Sequence, residues 1–512
     1  MRRALLLSCL SLPLLARLPA VAQEADSALA ATDAAVARLA ERLARLGEDG
    51  LDPRHYAVPE MASAAMDPAA FRVGTLRSAQ AALADLLLGR VNGLRGRADL
   101  RRSPDRVPLG AWLAELAASP EPAQVIERAA TLHPDASPIK ALLAAYRAVA
   151  AAGGWPRITG DTRRTLEPGS TDAARVPQLR ARLAVYDPAL AEGATATSPV
   201  YDGRLIAAVR AFQASEGLEV DGRVGAVTWG VLNTPVESKI AQLVVALDMR
   251  RAQPAPSAER RIEVNIPHFR LHLLEGSRVV QDMAVIVGRV DRQTPVLNIR
   301  MVAVRFNPPW GVPTRNARED ILPRLRANPE AVRARGFRIF RRIDGEIVEV
   351  DPATVDWTAY DRNRFPYFIR QDAGDANALG RIMFVTPNAE DIFLHDTPDR
   401  QLFRRGQRAF SSGCIRVERP MELLFEALSG TSGWDQARVG QVLESRRTVN
   451  VPIARPIPVR LHYTTVIVEG GRVIMRPDIY GLDAEYARAL DRTASPRIAS
   501  LEGGVARGSG AR

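Results

Sequence analysis

The chain has 512 residues, 46% of them hydrophobic, which is enough for about three domains with real cores and excludes a mainly disordered protein. Its net charge of +11 comes almost wholly from Arg, Lys140 and Lys239 being the exceptions. The charge is scattered, with no basic stripe interleaved with aromatics, so no nucleic-acid partner is expected; attraction to an anionic wall polymer or lipid surface stays open.

Residues 1–22 read as a signal peptide. Arg2 and Arg3 give a positive start, Ala4 to Leu18 is largely apolar, and Ala20-Val21-Ala22 is an A-x-A cleavage pattern. No other run approaches the roughly 20 apolar residues of a membrane span, so an exported, periplasmic protein with no stable membrane span is expected. Cys9 falls within this leader, which leaves Cys414 as the one cysteine of the mature chain. A lone thiol in an oxidising compartment has no internal disulfide partner, and reactivity is the leading explanation for it.

From 23 to 168 the pattern is helical. Apolar residues recur at helical spacing from Ala28 to Leu46, and Gly47-Glu48-Asp49-Gly50 stops that helix. Leu83 to Leu88 reads as helix, and so does Ala141 to Ala152, with Ser137 as cap and Pro138 at the first position. A second unit spans 172–235: Leu205, Ala208, Val209 and Phe212 share a helical face, and Gly217-Leu218 and Asp221-Gly222 supply turns. Together with Tyr201-Asp202, Gln213, Val224-Gly225 and Thr228-Trp229, these residues resemble the peptidoglycan-binding type 1 module, a three-helix repeat; a plain spacer is the alternative.

Residues 248–260, with Pro254, Pro256 and Ser257, read as a linker. After it the period changes to two: Ile262, Val264 and Ile266 alternate with polar neighbours, Leu271 and Leu273 do the same, and Val279 to Val287 continues a β-branched run. Such strands argue for an all-β sandwich or barrel-like sheet. A helix-like stretch from Asp320 to Arg335 and a turn-rich, aromatic stretch from Asp344 to Asn377 then leave the sheet. An excursion of that length, about 314–380, is expected to act as a lid or substrate loop. The sheet resumes at Ile382 to Val385 and Ile392 to Leu394, delivering His395 to a strand end.

His395 and Cys414 are 19 residues apart, too far for one helix face and suited to two adjacent strands or to a strand and a turn. A thiol needs a base or charge partner to become a nucleophile, and His395 can serve as ion-pair partner before attack and as proton donor to the leaving amine afterwards. Gly413 allows a tight turn that aims backbone N–H groups at a developing oxyanion. Ser411 is placed to hold either the imidazole or the loop. The remaining histidines, His55, His133, His268, His272 and His462, are dispersed and lack metal-site spacing, and no phosphate loop or Rossmann fingerprint stands out. No cofactor and no metal are expected.

The stretch Ile392-Phe393-Leu394-His395-Asp396-Thr397-Pro398, with Arg408-Ala409-Phe410-Ser411-Ser412-Gly413-Cys414-Ile415-Arg416-Val417, closely resembles the catalytic signature of L,D-transpeptidases. The likeness runs from about Arg261 to Tyr480 and takes in Pro308-Pro309-Trp310, Asn377-Ala378-Leu379-Gly380 and Arg476-Pro477-Asp478-Ile479-Tyr480. With Gly50-Leu51-Asp52-Pro53 and Gly89-Arg90-Val91, the whole chain is similar to the large multidomain, periplasmic YcbB-like subgroup. The implied fold class is α+β multidomain: a helical scaffold (23–168), a small three-helix wall-binding module (172–235), a mainly-β catalytic domain (261–482) with an inserted capping loop, and a flexible tail (494–512).

The resemblance implies a Cys414 thiolate attacking a tetrapeptide stem, loss of D-alanine, and aminolysis of the thioester to form a 3-3 cross-link. It makes His395 acid and base, Ser411 an orienting group, Gly413 and Cys414 oxyanion donors, and Arg416, Trp310, Asn377 and Thr397 substrate contacts, Arg416 being weighed equally as a brace of the loop. Implied partners are stem peptides and glycan strands, with a glycan polymerase or a D,D-carboxypeptidase as protein partners. Many shorter relatives carry His where this chain has Ser412, and some have Tyr where it has Phe393. Two alternatives stand beside this reading: the same acyl-enzyme serving carboxypeptidase, amidase or protein-anchoring chemistry, and an inactive wall-binding scaffold.

Overall fold

The alternation after residue 260 is realised as strands in the computed structural model, which describes residues 31–491 apart from 92, 95, 101 and 254–256. The expected leader and tail, and the middle of the Pro-rich linker, lie outside the described residues. The chain parts into two compact units, one holding residues through Arg90 and Asp105–Pro134, the other Val91–Pro104 and the chain from Asp135 on.

The first unit is helical. Its first helix runs Asp33–Ala44, later than the expected start at Ala28, because Thr32 takes an extended conformation and its hydroxyl caps the Ala35 N–H. A 3-10 turn, Leu46–Asp49, follows and ends on Gly50 at φ 73°. The core gathers Leu39, Leu43, Leu83, Leu116 and Ile126 from helices Asp33–Ala44, Pro68–Leu88, Leu109–Ala118 and Pro122–Ala130. Full burial of each such side chain contributes roughly 1.5–3 kcal/mol.

In the second unit, Val176–Leu183, Gly203–Ser215 and Ala226–Leu232 form the small helical module around Val209, Phe212 and Trp229. Gln213 locks the Asp221-Gly222 turn, donating to Asp221 Oδ1 (2.9 Å) and accepting from the Gly222 N–H (2.9 Å). Two expectations are corrected beyond it. The helix read from Ala141 runs Ala136–Ala151, so Ser137 lies inside it; Asp135 stands at its start, and its carboxylate pairs with Arg250 (2.9 Å). Residues 136–151 pack with helix Val236–Arg250 in this unit. The linker expected from 248 begins inside helix Val236–Arg250, where the buried Asp248 carboxylate accepts from Arg102 (2.7 Å) and the Tyr486 hydroxyl (2.6 Å).

The strands are β1 (Arg261–Asn265), β2 (Arg270–Glu275), β3 (Arg278–Gly288), β4 (Leu297–Phe306), β5 (Trp310–Gly311), β6 (Phe337–Ile343), β7 (Glu346–Val350), β8 (Tyr367–Gln371), β9 (Ile382–Val385), β10 (Leu394–His395), β11 (Ala409–Ser411), β12 (Ile415–Val417), β13 (Val449–His462), β14 (Val466–Glu469) and β15 (Arg472–Met475). The main sheet has the order β11-β3-β12-β10-β9-β4-β13-β1-β2, and β2 pairs back to β3, which closes a barrel-like circuit. Ile262, Val264, Met283, Val285, Leu394 and Ile415 fill its interior. The pairs β1–β13 and β10–β12 are parallel; most of the others are antiparallel.

The excursion is more than a loop. After helical turns at Thr314–Asn316, Ala317–Ile321, Leu322–Ala327 and Pro329–Ala334, it builds its own sheet in the order β5-β8-β6-β7 over a core that includes Leu325, Ile339, Trp357 and Tyr367. The stretch read as turns from Asp344 therefore contains β7 and β8. Both faces of β7 are largely exposed, so no alternation marks it.

Candidate active site

The site is set by one short parallel pairing. His395 on β10 is in register with Arg416 on β12, and Leu394 with Ile415. Leu394 and Ile415 point into the barrel core, so His395 and Arg416 lie on the opposite, outer side. Cys414 lies in the bend that immediately precedes β12, two residues before Arg416. The parallel β10–β12 pairing therefore brings the segment that carries Cys414 alongside the strand that carries His395.

Both groups are held neutral. Burial, with the Arg416 charge adding to it, pushes the His395 imidazole down to about 3. Its Nδ1 lies 2.5 Å from the Asp396 carbonyl, to which an Nδ1–H donates, and the Leu379 carbonyl also bonds the ring. Burial raises the Cys414 thiol; the Phe393 N–H and Arg416 pull it down, and the Asp391 carboxylate pushes it up. Its Sγ donates to the Asp391 carbonyl at 3.6 Å. Burial thus works against the charged form of each group, and so against the expected thiolate–imidazolium pair before attack.

Ser411 serves the loop, not the imidazole. Its buried hydroxyl donates to the Cys414 carbonyl (2.6 Å) and accepts from the Gly413 N–H (3.1 Å). That bond occupies the Gly413 N–H, so the expected pair of oxyanion donors is reduced to Cys414. Gly413 is required by its backbone: φ is +119°, and a Cβ there would come within 3.1 Å of Ile392 Cδ1.

Each of the four expected substrate contacts has partners within the chain. Asn377 is buried; its amide donates to the Asp372 carbonyl (2.9 Å) and its Oδ1 accepts from the Leu379 N–H (2.8 Å), which shapes the turn that carries Leu379 to His395. Thr397 is buried and accepts from the Asp399 N–H (3.2 Å). Trp310 sits edge-on to Phe337 (6.3 Å) against the insertion's core. Arg416 pairs with Asp399 (3.0 Å), which braces the loop, while its Nε is buried with no hydrogen-bond partner among the described residues.

Two residues were missed in the sequence. Thr294 ties the nucleophile loop to the β3–β4 connection: its Oγ1 donates to the Gly413 carbonyl (2.7 Å) and accepts from the Gly288 N–H (2.8 Å). Arg292 reaches Ser412 Oγ (2.8 Å), Asp320 (2.5 Å) and Glu319 (2.6 Å), and Asn316 also donates to Ser412 Oγ (3.0 Å). Ser412 thereby latches the nucleophile loop to the first turns of the insertion. Among the described residues, no group of three His, Cys, Asp or Glu side chains converges to hold a metal ion, and no helix is long and apolar enough to cross a membrane.

This geometry falls within a recognised class. Residues 259–450 match the family model described as "L,D-transpeptidase catalytic domain", residues 172–232 the "Putative peptidoglycan binding domain", and residues 27–143 the "Scaffold domain". The chain is a mixed α+β protein that carries an L,D-transpeptidase catalytic domain behind a peptidoglycan-binding-type module and a scaffold domain. A curated relative from Haemophilus influenzae, named "Putative L,D-transpeptidase", is 40% identical over 252 residues, covering 49% of this chain and 50% of the relative. The chain thus spans about half the length of the curated relative it matches. A solved L,D-transpeptidase structure from Xylanimonas cellulosilytica matches at 15% identity over 59% of this chain and 100% of that one, with a TM-score of 0.20, too low to inform the fold.

Proposed function

We propose that this chain is a peptidoglycan L,D-transpeptidase acting outside the cytoplasm and forming 3-3 cross-links through a thioester on Cys414. One observation supports the reading above the others: the strand that carries His395 pairs in parallel with the strand that Cys414 leads into, and the loop that carries Cys414 is pinned by Ser411 and Thr294. In the reaction, His395 takes the Cys414 proton as sulfur attacks the carbonyl at the L-centre of diaminopimelate in a tetrapeptide stem. The Cys414 N–H meets the developing oxyanion. The imidazolium then protonates the departing D-alanine amine, which leaves a thioester and a neutral imidazole. A side-chain amine of a second stem attacks the thioester, gives a proton to His395, and expels the thiolate, which takes that proton back. The energy of the cleaved peptide bond is kept in the thioester, so no ATP is consumed.

The test is product analysis: tetrapeptide-containing muropeptides incubated with the purified full chain yield 3-3 dimers by mass spectrometry, and the Cys414→Ala chain yields none. D-Alanine release without dimers would reassign the acceptor to water, and no release at all would overturn the reading.

A further inference from the structure

Away from Cys414, a cavity of about 330 Å³ opens on the barrel, lined by arginines from three segments. Arg270 comes from β2, Arg408 from the approach to β11, and Arg476 from just after β15. Asp282 and Glu469 are the two carboxylates on its wall. Asp282 is already engaged by Arg270 (2.7 Å) and by His272 (3.0 Å), so three guanidinium groups face two acids, one of them shared.

Among the described residues neither of the other two arginines forms an ion pair, although Glu469 and Glu216 act on Arg476 and Glu418 on Arg408 through their charge. Arg408 is fixed by the backbone carbonyls of Arg405 (2.6 Å), Val285 (3.3 Å) and Phe269 (3.2 Å), with its guanidinium over the Phe269 ring. Arg476 Nε is buried with no hydrogen-bond partner among the described residues. The excess positive field registers in the groups themselves. Burial, with Arg270 and Arg476 adding to it, pushes Arg408 down to about 10, and burial among these arginines pushes His268 down to about 2.

The cavity stands at a seam. The Arg476 guanidinium lies flat against Gly217 of the helical module, where a Cβ would fall 1.0 Å from Nη1. On the barrel side, Gly406 meets the backbone of Glu219, where a Cβ would fall 2.5 Å from its amide nitrogen. The module's Gly217–Glu219 turn therefore packs against the segments that supply Arg476 and Arg408.

We infer that this cavity is a carboxylate-binding site in which Arg408 and Arg476 receive a free carboxylate of a peptidoglycan peptide at the seam between module and barrel. A planar carboxylate matches the guanidinium fork, and it balances the surplus of guanidinium groups over acids on the cavity wall. The ligand class rests on the peptidoglycan reading above.

The test uses the full-length Cys414→Ala chain, which binds without turnover, and a soluble disaccharide-tetrapeptide titrated calorimetrically as the free carboxylate and as the carboxamide. The carboxylate form binds about tenfold more tightly, and Arg476→Gln or Arg408→Gln removes that difference. Equal affinity for both forms, or a difference that survives Arg476→Gln, overturns the inference. Displacement by inorganic phosphate at concentrations where acetate fails would move the site to phosphate ligands and overturn it too. Arg408→Gln removes three backbone bonds and can unfold the segment; Arg476→Gln and the ligand pair on the unsubstituted site still decide. If Arg476-dependent binding persists while the wild-type chain releases no D-alanine, the catalytic reading falls and this site stands. Release of D-alanine with binding indifferent to Arg476 sinks the site alone.

Discussion

Thr294→Val is the sharpest probe of how the nucleophile is held. Valine keeps the shape but deletes a hydroxyl that serves two buried backbone groups, the Gly413 carbonyl at 2.7 Å and the Gly288 N–H at 2.8 Å. Space around Gly288 is closed, since even a Cβ there would fall 2.2 Å from the Arg292 carbonyl, so solvent cannot replace the lost partner. Leaving a buried backbone group unsatisfied costs about 1–3 kcal/mol, which gives about 2–6 kcal/mol for the pair. With partial relaxation to about 3 kcal/mol, the catalytic unit should melt about 6–12 °C lower. Differential scanning calorimetry reads that shift, and dimer formation read in parallel should fall, because the loop that carries Cys414 loses its anchor. Thr294→Ser keeps the hydroxyl and should retain both. A Val variant that melts within about 1 °C of the parent and cross-links normally would refute this account of the loop.

Other outcomes follow from the same geometry. Alkylation of Cys414 by iodoacetamide should climb with pH through and beyond the ordinary thiol value of 9.0, with no plateau near neutrality, because burial raises this thiol. A plateau below pH 7 would show a preformed thiolate instead. His268, His395 and His462 are buried and lowered to about 2, 3 and 4 from 6.5, so the unfolded chain binds more protons below pH 6.5 and stability falls as pH drops from there towards 4. Asp483, raised to about 7, opposes one of the three, leaving about two protons of net slope in denaturant titrations across that window. A flat profile would contradict the neutral buried imidazoles. Ser412→Ala removes the acceptor of Arg292 and Asn316 at an exposed site; it should cost about 1 kcal/mol and speed amide hydrogen exchange over residues 314–321. Unchanged exchange there would show that the latch does not restrain the insertion.

Where hydrophobic period and chemistry agree, the architecture was readable. Ile262, Val264, Leu271 and Leu273 alternate because one side of β1 and β2 faces a closed interior, and the alternation carries directly into the barrel. The Cys414–His395 spacing was readable for the same reason, as it fits neighbouring strands. What escaped were features fixed by distant partners. Strand β7 has no buried side, so Ile347, Val348 and Val350 show no alternation that would mark it. Helix Val236–Arg250 runs into the start of what composition marks as a linker, where Asp248 finds Arg102 and Tyr486, more than a hundred residues away in sequence. The bonds that Asn377 and Thr397 make to local backbone groups were equally illegible, because the resemblance names them as substrate contacts and says nothing of their neighbours. Thr294 carries no local signal at all; its importance lies in meeting Gly413 across 119 residues.

Intact-mass spectrometry of the full chain quenched during turnover tests the central claim most directly. Incubated with a tetrapeptide stem, the wild-type protein should gain the mass of the stem less D-alanine, with the adduct on the peptide bearing Cys414 and labile to hydroxylamine as a thioester, and His395→Gln should gain it at least ~100-fold more slowly. An adduct on any other residue, or one that forms at the wild-type rate without His395, would contradict it.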